Sequence, residues 1–231
     1  MSVKSYIIVV PASPIFNREI VPVFENLSQA DSSLLYSAMY RNHMDMLSKL
    51  KDYSIVYCFD ERDRDFLPEE FSDESLDKHF VKSNEVWKGM RKIIADKVHQ
   101  ESPNILLLFS NSIAITPSAI SRYFNILSHD DYNLLVGRSS SGKIGLLGLN
   151  YYEDRLMEDF SSCDINYDNF LRHAGKLNSC LFTVDSFLTV ENFEHFRTLY
   201  KILSKKESIE FCSHEIHELF THLFIEYKEQ L

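Results

Sequence analysis

The chain has 231 residues, 45% of them hydrophobic and 13% aromatic, enough to bury a sizeable core as one large α/β domain or two small ones, of which one is the simpler reading. Its 34 acidic against 24 basic residues leave a formal charge of −10, which argues against a nucleic-acid partner but not against a mononucleotide, since the latter needs only local donors. The IIVV run before Pro11 is too short for a signal core and no apolar run nears the ~20 residues of a membrane span, so a cytoplasmic protein with no membrane partner is expected.

Ser5 to Val10 (SYIIVV) is a β-branched run closed by Pro11 and predicts a central strand buried on both faces. The segment up to Ser33 carries prolines at 11, 14 and 22 and no stable period, so it reads as a long loop over the strand end. From Ser33 to Leu50 apolar residues fall near helical spacing, with Ser32 or Ser33 as N-cap. Tyr53 to Phe59 predicts a second strand, and the charged run DERDRDFLPEE after it reads as a solvated loop. His79 to Lys82 predicts a short strand and Asn84 to His99 a helix.

From Asn104 to Asn150 the chain reads without a break as strand, polar loop, helix, strand, glycine loop and strand, which is the inner half of a nucleotide-binding α/β sheet. Ile105 to Phe109 is its central strand. Thr116 caps the helix and Pro117 takes the first helical position, where a missing N–H costs nothing. Tyr132 to Gly137 and Ile144 to Leu149 are strands around the loop RSSSGK. Beyond Asn150 the pattern turns helical: Tyr152 to Phe160, Asn166 to Leu177, Val190 to Ser204 and His214 to Glu229, with a short strand at Leu181 to Val184. The expected organisation is a single domain, residues 1–150 forming a nucleotide-binding-type core and 151–231 a mainly helical part on the same sheet.

Several polar groups are candidates for chemistry, each beside a plainer reading. Ser110, Asn111 and Ser112 follow a central strand at the end where open α/β sheets bind ligands, yet the same groups could cap the next helix. Ser141 and Lys143 of the RSSSGK loop could cradle a phosphate, or form an ordinary hairpin turn. Arg18 could meet a diphosphate or stand alone on the surface. Asp185 could act as a base if it lay in a cleft, or bond locally at a strand end. Cys212, His214, His217, Glu218 and His222 have metal-like composition but lack the H-E-x-x-H spacing. A metalloprotein built on them is the remote alternative. The four cysteines show no C-x-x-C pair and read as reduced, buried thiols. The seventeen phenylalanines and twelve tyrosines read as core rather than as stacking platforms.

Phe109-Ser110-Asn111-Ser112-Ile113-Ala114-Ile115-Thr116 and Ser141-Gly142-Lys143-Ile144-Gly145-Leu146-Leu147-Gly148 resemble, in frame and spacing, the G-[ST]-D-x-P-x-L-[TS] and D-G-G-Y-x-L-[IV]-G motifs of the nucleotide-diphospho-sugar transferase superfamily. Within it the likeness is to the small bacterial rSAM/selenodomain-associated transferases. The segment from Asn84 to Met90 stands where that group has G-D-L-G-x-R-M, Ser186 to Phe193 where it has D-[IV]-D-T-x-x-D-L, and Asn17-Arg18-Glu19 near its basic N-terminal loop. The charged letters differ, with Asn111 in place of the metal-side aspartate, and Ser141 and Lys143 in place of an Asp and a Gly. The resemblance implies a GT-A, Rossmann-like fold: a three-layer α/β/α sandwich with a mostly parallel central sheet and extra C-terminal helices. It implies a transferase binding a nucleotide or nucleotide-sugar through Pro11, Ser13, Arg18, Ser110, Asn111, Ser112, Ser141 and Lys143, with Mg²⁺ or Mn²⁺ as the family's cofactor. Asn111, His214 and Glu218 are the candidate metal ligands here, and loss of the acidic motif residues predicts weak metal dependence, or an inactive binding or scaffold protein.

Overall fold

The computed structural model describes residues 4–82, 85–101, 103–162 and 166–231. Its strands are β1 (Ser5–Val10), β2 (Ser54–Asp60), β3 (Asp77–Val81), β4 (Asn104–Phe109), β5 (Ser112–Ile113), β6 (Asn133–Ser139), β7 (Ile144–Leu149) and β8 (Cys180–Thr189). Its α-helices are α1 (Gln29–Ser48), α2 (Val86–Glu101), α3 (Pro117–Leu127), α4 (Asp154–Ser162), α5 (Tyr167–Ala174), α6 (Phe193–Leu203) and α7 (His214–Glu226). The strands form one sheet in the order β3-β2-β1-β4-β7-β6-β8-β5. β3, β2, β1 and β4 are mutually parallel and β6 is parallel to β8, while β7 runs against both neighbours and β5 against β8.

The core follows from the period of two in strands that are apolar on both faces. Ile8, Val10, Leu107 and Val136 face one way, under Met90 and Ile94 of α2, Leu156 of α4 and Phe170 of α5. Ile7, Val9, Leu106 and Leu108 face the other, under Tyr40 and Leu47 of α1 and Ile120 and Phe124 of α3. This is the expected three-layer α/β/α sandwich. A third apolar cluster joins Leu35 and Met39 of α1 to Phe196 and Leu199 of α6, Phe220 and Phe224 of α7, and Ile113 and Leu188 of β5 and β8.

Four local expectations change. α1 starts at Gln29 because Ser28, not Ser32 or Ser33, is its N-cap, its side chain accepting from the Asp31 N–H at 3.1 Å. β8 runs on to Thr189, through the exposed Asp185 and Ser186 that break the apolar run. The charged run is two 3₁₀ turns, Glu61–Phe66 and Glu69–Phe71, with Asp60 and Asp63 buried. Cys58 and Cys212 are buried free thiols, the latter pushed up to about 12 by burial, but Cys180 is exposed; Cys163 and Asn84 lie outside the described residues.

Candidate functional site

The chain leaves β1 outward through α1 to β2 and β3, then returns through α2 to β4 on the other side of β1. That reversal between β1 and β4 is the switch point outside whose carboxyl strand ends open α/β sheets keep a ligand crevice. A cavity of about 660 Å³ lies there.

Five segments and one residue of α1, Tyr36, build it. Pro11, Ala12 and Ser13 turn off the end of β1, and Pro22 follows on the same loop. The Ala12 N–H donates to Ser110 Oγ at 3.0 Å, and the Asp63 carboxylate accepts from three successive N–H groups, Ile15 at 2.8 Å, Phe16 at 2.9 Å and Asn17 at 2.8 Å. Burial pushes the Asp63 carboxyl up, while those three donors pull it the other way. Phe109 and Asn111 come from the end of β4, and Asn111 C=O accepts from Val190 N–H at 3.0 Å, tying β4 to the end of β8. Glu85 precedes α2 and Val86, Trp87 and Lys88 open it, the Trp87 ring standing edge-on to Phe109 with centroids 6.0 Å apart.

The fourth segment is the β6–β7 hairpin. Gly142 adopts a φ of +78°, the left-handed turn that glycine tolerates, and Lys143 N–H donates to Ser139 Oγ at 3.0 Å. The turn docks on the end of β8: Ser140 N–H donates to Phe187 C=O at 2.8 Å and Ser140 Oγ to Thr189 C=O at 3.2 Å. The fifth segment is Thr189, Val190 and Glu191. Glu191 Oε2 accepts from Lys143 Nζ at 3.0 Å and Oε1 from Ser141 Oγ at 3.1 Å. Tyr36 of α1 also lines the cavity, its phenol raised by burial and by the Glu191 charge.

Of the residues expected to bind a nucleotide, Pro11, Ser13, Asn111 and Lys143 line the cavity, and Ser141 reaches it through Glu191. Ser110 and Ser112 serve structure: the first accepts from Ala12, and the second, fully buried, donates to Gly145 C=O at 3.1 Å. Arg18 is exposed and outside the lining. Asp185, 92% exposed, faces Arg122 at 3.8 Å and is not brought to the cavity. His214 and Glu218 pair on the exposed face of α7 at 3.3 Å, and His217 Nε2 lies 3.0 Å from Leu203 C=O. Among the described residues no three His, Cys, Asp or Glu side chains converge as a metal-holding group. Glu85, Trp87 and Glu191 were not singled out by sequence; the pair of Glu191 and Lys143 spans 48 positions, beyond any local pattern.

No protein-family model and no curated protein matches the sequence. Among solved structures, a Desulfovibrio desulfuricans G20 protein assigned as a nucleotide-diphospho-sugar transferase superposes with a TM-score of 0.80 at 15% identity, over 99% of this chain and 98% of that one. The fold is that of the nucleotide-diphospho-sugar transferases. Two further structures share it more distantly. The 4-diphosphocytidyl-2C-methyl-D-erythritol synthase of Anaerococcus prevotii DSM 20548 has a TM-score of 0.53 at 10% identity, over 96% of each chain. Rv0371c of Mycobacterium tuberculosis H37Rv has a TM-score of 0.52 at 14% identity, over 87% of this chain and all of that one. On this transferase fold, the motif-like segments read from the sequence, 109–116, 141–148, 84–90 and 186–193, each send described residues into one cavity, beside the β1 loop.

Proposed function

We propose that the protein binds a nucleotide or nucleotide-sugar in the cavity at the β1–β4 switch point and transfers a group from it. The observation that carries this reading is the meeting of five sequence-distant segments at one crevice of a nucleotide-diphospho-sugar transferase fold. The lining suits such a ligand: Trp87 and Tyr36 offer ring surfaces to a base, and Lys143 offers a cation to phosphate.

A thermal-shift scan against UDP-, GDP-, CDP-, ADP- and dTDP-sugars and the free nucleotides tests it. A ligand present at a hundred times its dissociation constant adds about 2.7 kcal/mol to stability. A selective rise in midpoint names the donor class; no rise with any of them removes the reading. A second reading, a binding protein without transfer, draws on the two cavity acids, Glu85 and Glu191, each lying against a lysine, at 3.4 Å and 3.0 Å. Release of sugar or nucleoside diphosphate above a buffer blank would sink it.

A further inference from the structure

We propose that Lys143 is the phosphate-binding cation of the cavity and stands in for a divalent ion, with Glu191 as the residue that positions it; this rests on the nucleotide reading above. The donor set does not suit Mg²⁺ or Mn²⁺. Such ions are bound by carboxylates together with other oxygens. Glu191 already accepts with both oxygens, from Lys143 Nζ and Ser141 Oγ, the other cavity acid, Glu85, lies 3.4 Å from Lys88 Nζ, and Asn111 contributes only a neutral carboxamide. A metal drawn to Glu191 would meet an ammonium 3.0 Å from the same carboxylate, and like charges repel.

The same geometry favours an anion. The Lys143 side chain is 45% exposed, so a ligand can reach it, and its backbone is fixed by the Gly142 turn and the Ser139 contacts. An ammonium carries three donors, and one directed at Glu191 leaves others for phosphate oxygens. Four N–H groups of the β1 loop are already engaged within the protein, that of Ala12 with Ser110 Oγ and those of Ile15, Phe16 and Asn17 with Asp63. Glu191 holds the ammonium over the cavity and sets its cost, since an incoming phosphate shares Lys143 with a fixed negative charge.

The test is titration with inorganic pyrophosphate and with nucleoside diphosphates, in chelator and in Mg²⁺, read by calorimetry and by the fluorescence of Trp87, the only tryptophan of the chain. In chelator both ligands are expected to bind the wild type, Lys143→Met to weaken each by at least tenfold, and Lys143→Arg to keep affinity within a few fold. Glu191→Gln keeps an acceptor for Lys143 and removes the charge, so it should tighten pyrophosphate severalfold. Binding that needs Mg²⁺, or equal affinity in Lys143→Met, overturns the proposal. Should Lys143→Met fail to fold, an unchanged affinity in Glu191→Gln overturns it instead. Nucleotides that bind Lys143→Met as tightly as wild type leave the nucleotide reading standing without this one. Pyrophosphate that binds through Lys143 while nucleosides add nothing to affinity does the reverse.

Discussion

His43 of α1 is fully buried, and neither ring nitrogen makes a well-aligned hydrogen bond among the described residues. Burial pulls its pKa down to about 4, opposed in part by the backbone at Ser112 and Phe109. A base with a depressed folded pKa binds its proton more readily in the unfolded chain, so stability is whole above the unfolded value near 6.5 and is lost as pH falls toward about 4. The expected loss is roughly 3 kcal/mol across that window, at about 1.4 kcal/mol per unit. Urea midpoints of wild type and His43→Leu between about pH 7 and about pH 4 check it: the variant's curve should be flatter by that amount, and parallel curves would rule His43 out. Asp63 poses the complementary case of a buried acid that is fully used. Asp63→Ala strands the N–H groups of Ile15, Phe16 and Asn17, so we expect a loss of about 3 kcal/mol and faster amide exchange at those three residues first. Unchanged exchange there would mean that the β1 loop is held by its apolar contacts instead.

At the scale of elements, α2 sits so close to β3 that a methyl group does not fit between them. A Cβ added at Gly89 would lie 2.6 Å from Val81 Cγ1 and 2.9 Å from its Cβ. Alanine would favour the helix by up to about 1 kcal/mol, but the overlap costs about 1–3 kcal/mol, so Gly89→Ala should destabilise. Val81→Ala in the same chain removes the closer atom, Cγ1, and keeps the Cβ at 2.9 Å, so it should relieve part of the overlap and leave the double variant more stable than the sum of the singles; additive effects would show that helix and strand part freely. Elements whose pattern is local were legible from sequence. β1 and β4 are unbroken apolar runs, and α3 carries its own start signal, with Thr116 Oγ1 accepting from Ala119 N–H at 3.2 Å and Pro117 behind it. The start of α1 was not, because its first turn is polar and its cap, Ser28, precedes any apolar period. The site divides the same way. Lys143 and Asn111 stood out by their place beside strand ends, while Glu191 and Trp87 gain meaning only when the sheet brings β7, β8 and α2 together. Asp63 was hidden in a charge run whose ordinary fate is solvent.

At the scale of the molecule, the question is whether the helices beyond β8 fold with the sheet. α1 belongs to two cores at once: Tyr40 and Met46 pack on the sheet, and Leu35, Ala38 and Met39 pack against α6 and α7. A twenty-residue helix shared in this way has no joint at which one core can melt and leave the other intact. Phe196 is fully buried at the centre of the third cluster, its ring 5.3 Å from Phe224 and 6.4 Å from Phe24. Phe196→Ala should cost about 3–5 kcal/mol. If the chain unfolds as one unit, that loss appears equally in helical circular dichroism and in the fluorescence of Trp87, which sits at the start of α2 against Phe109, in a different cluster. The two transitions should coincide in wild type and move together to lower urea in the variant. An early loss of helix signal with Trp87 unmoved would instead make α6 and α7 a separable unit, with Glu191 at the boundary. In that case, loosening those helices would free Lys143 without touching the sheet, and ligand affinity would change at urea concentrations where Trp87 still reports a folded core.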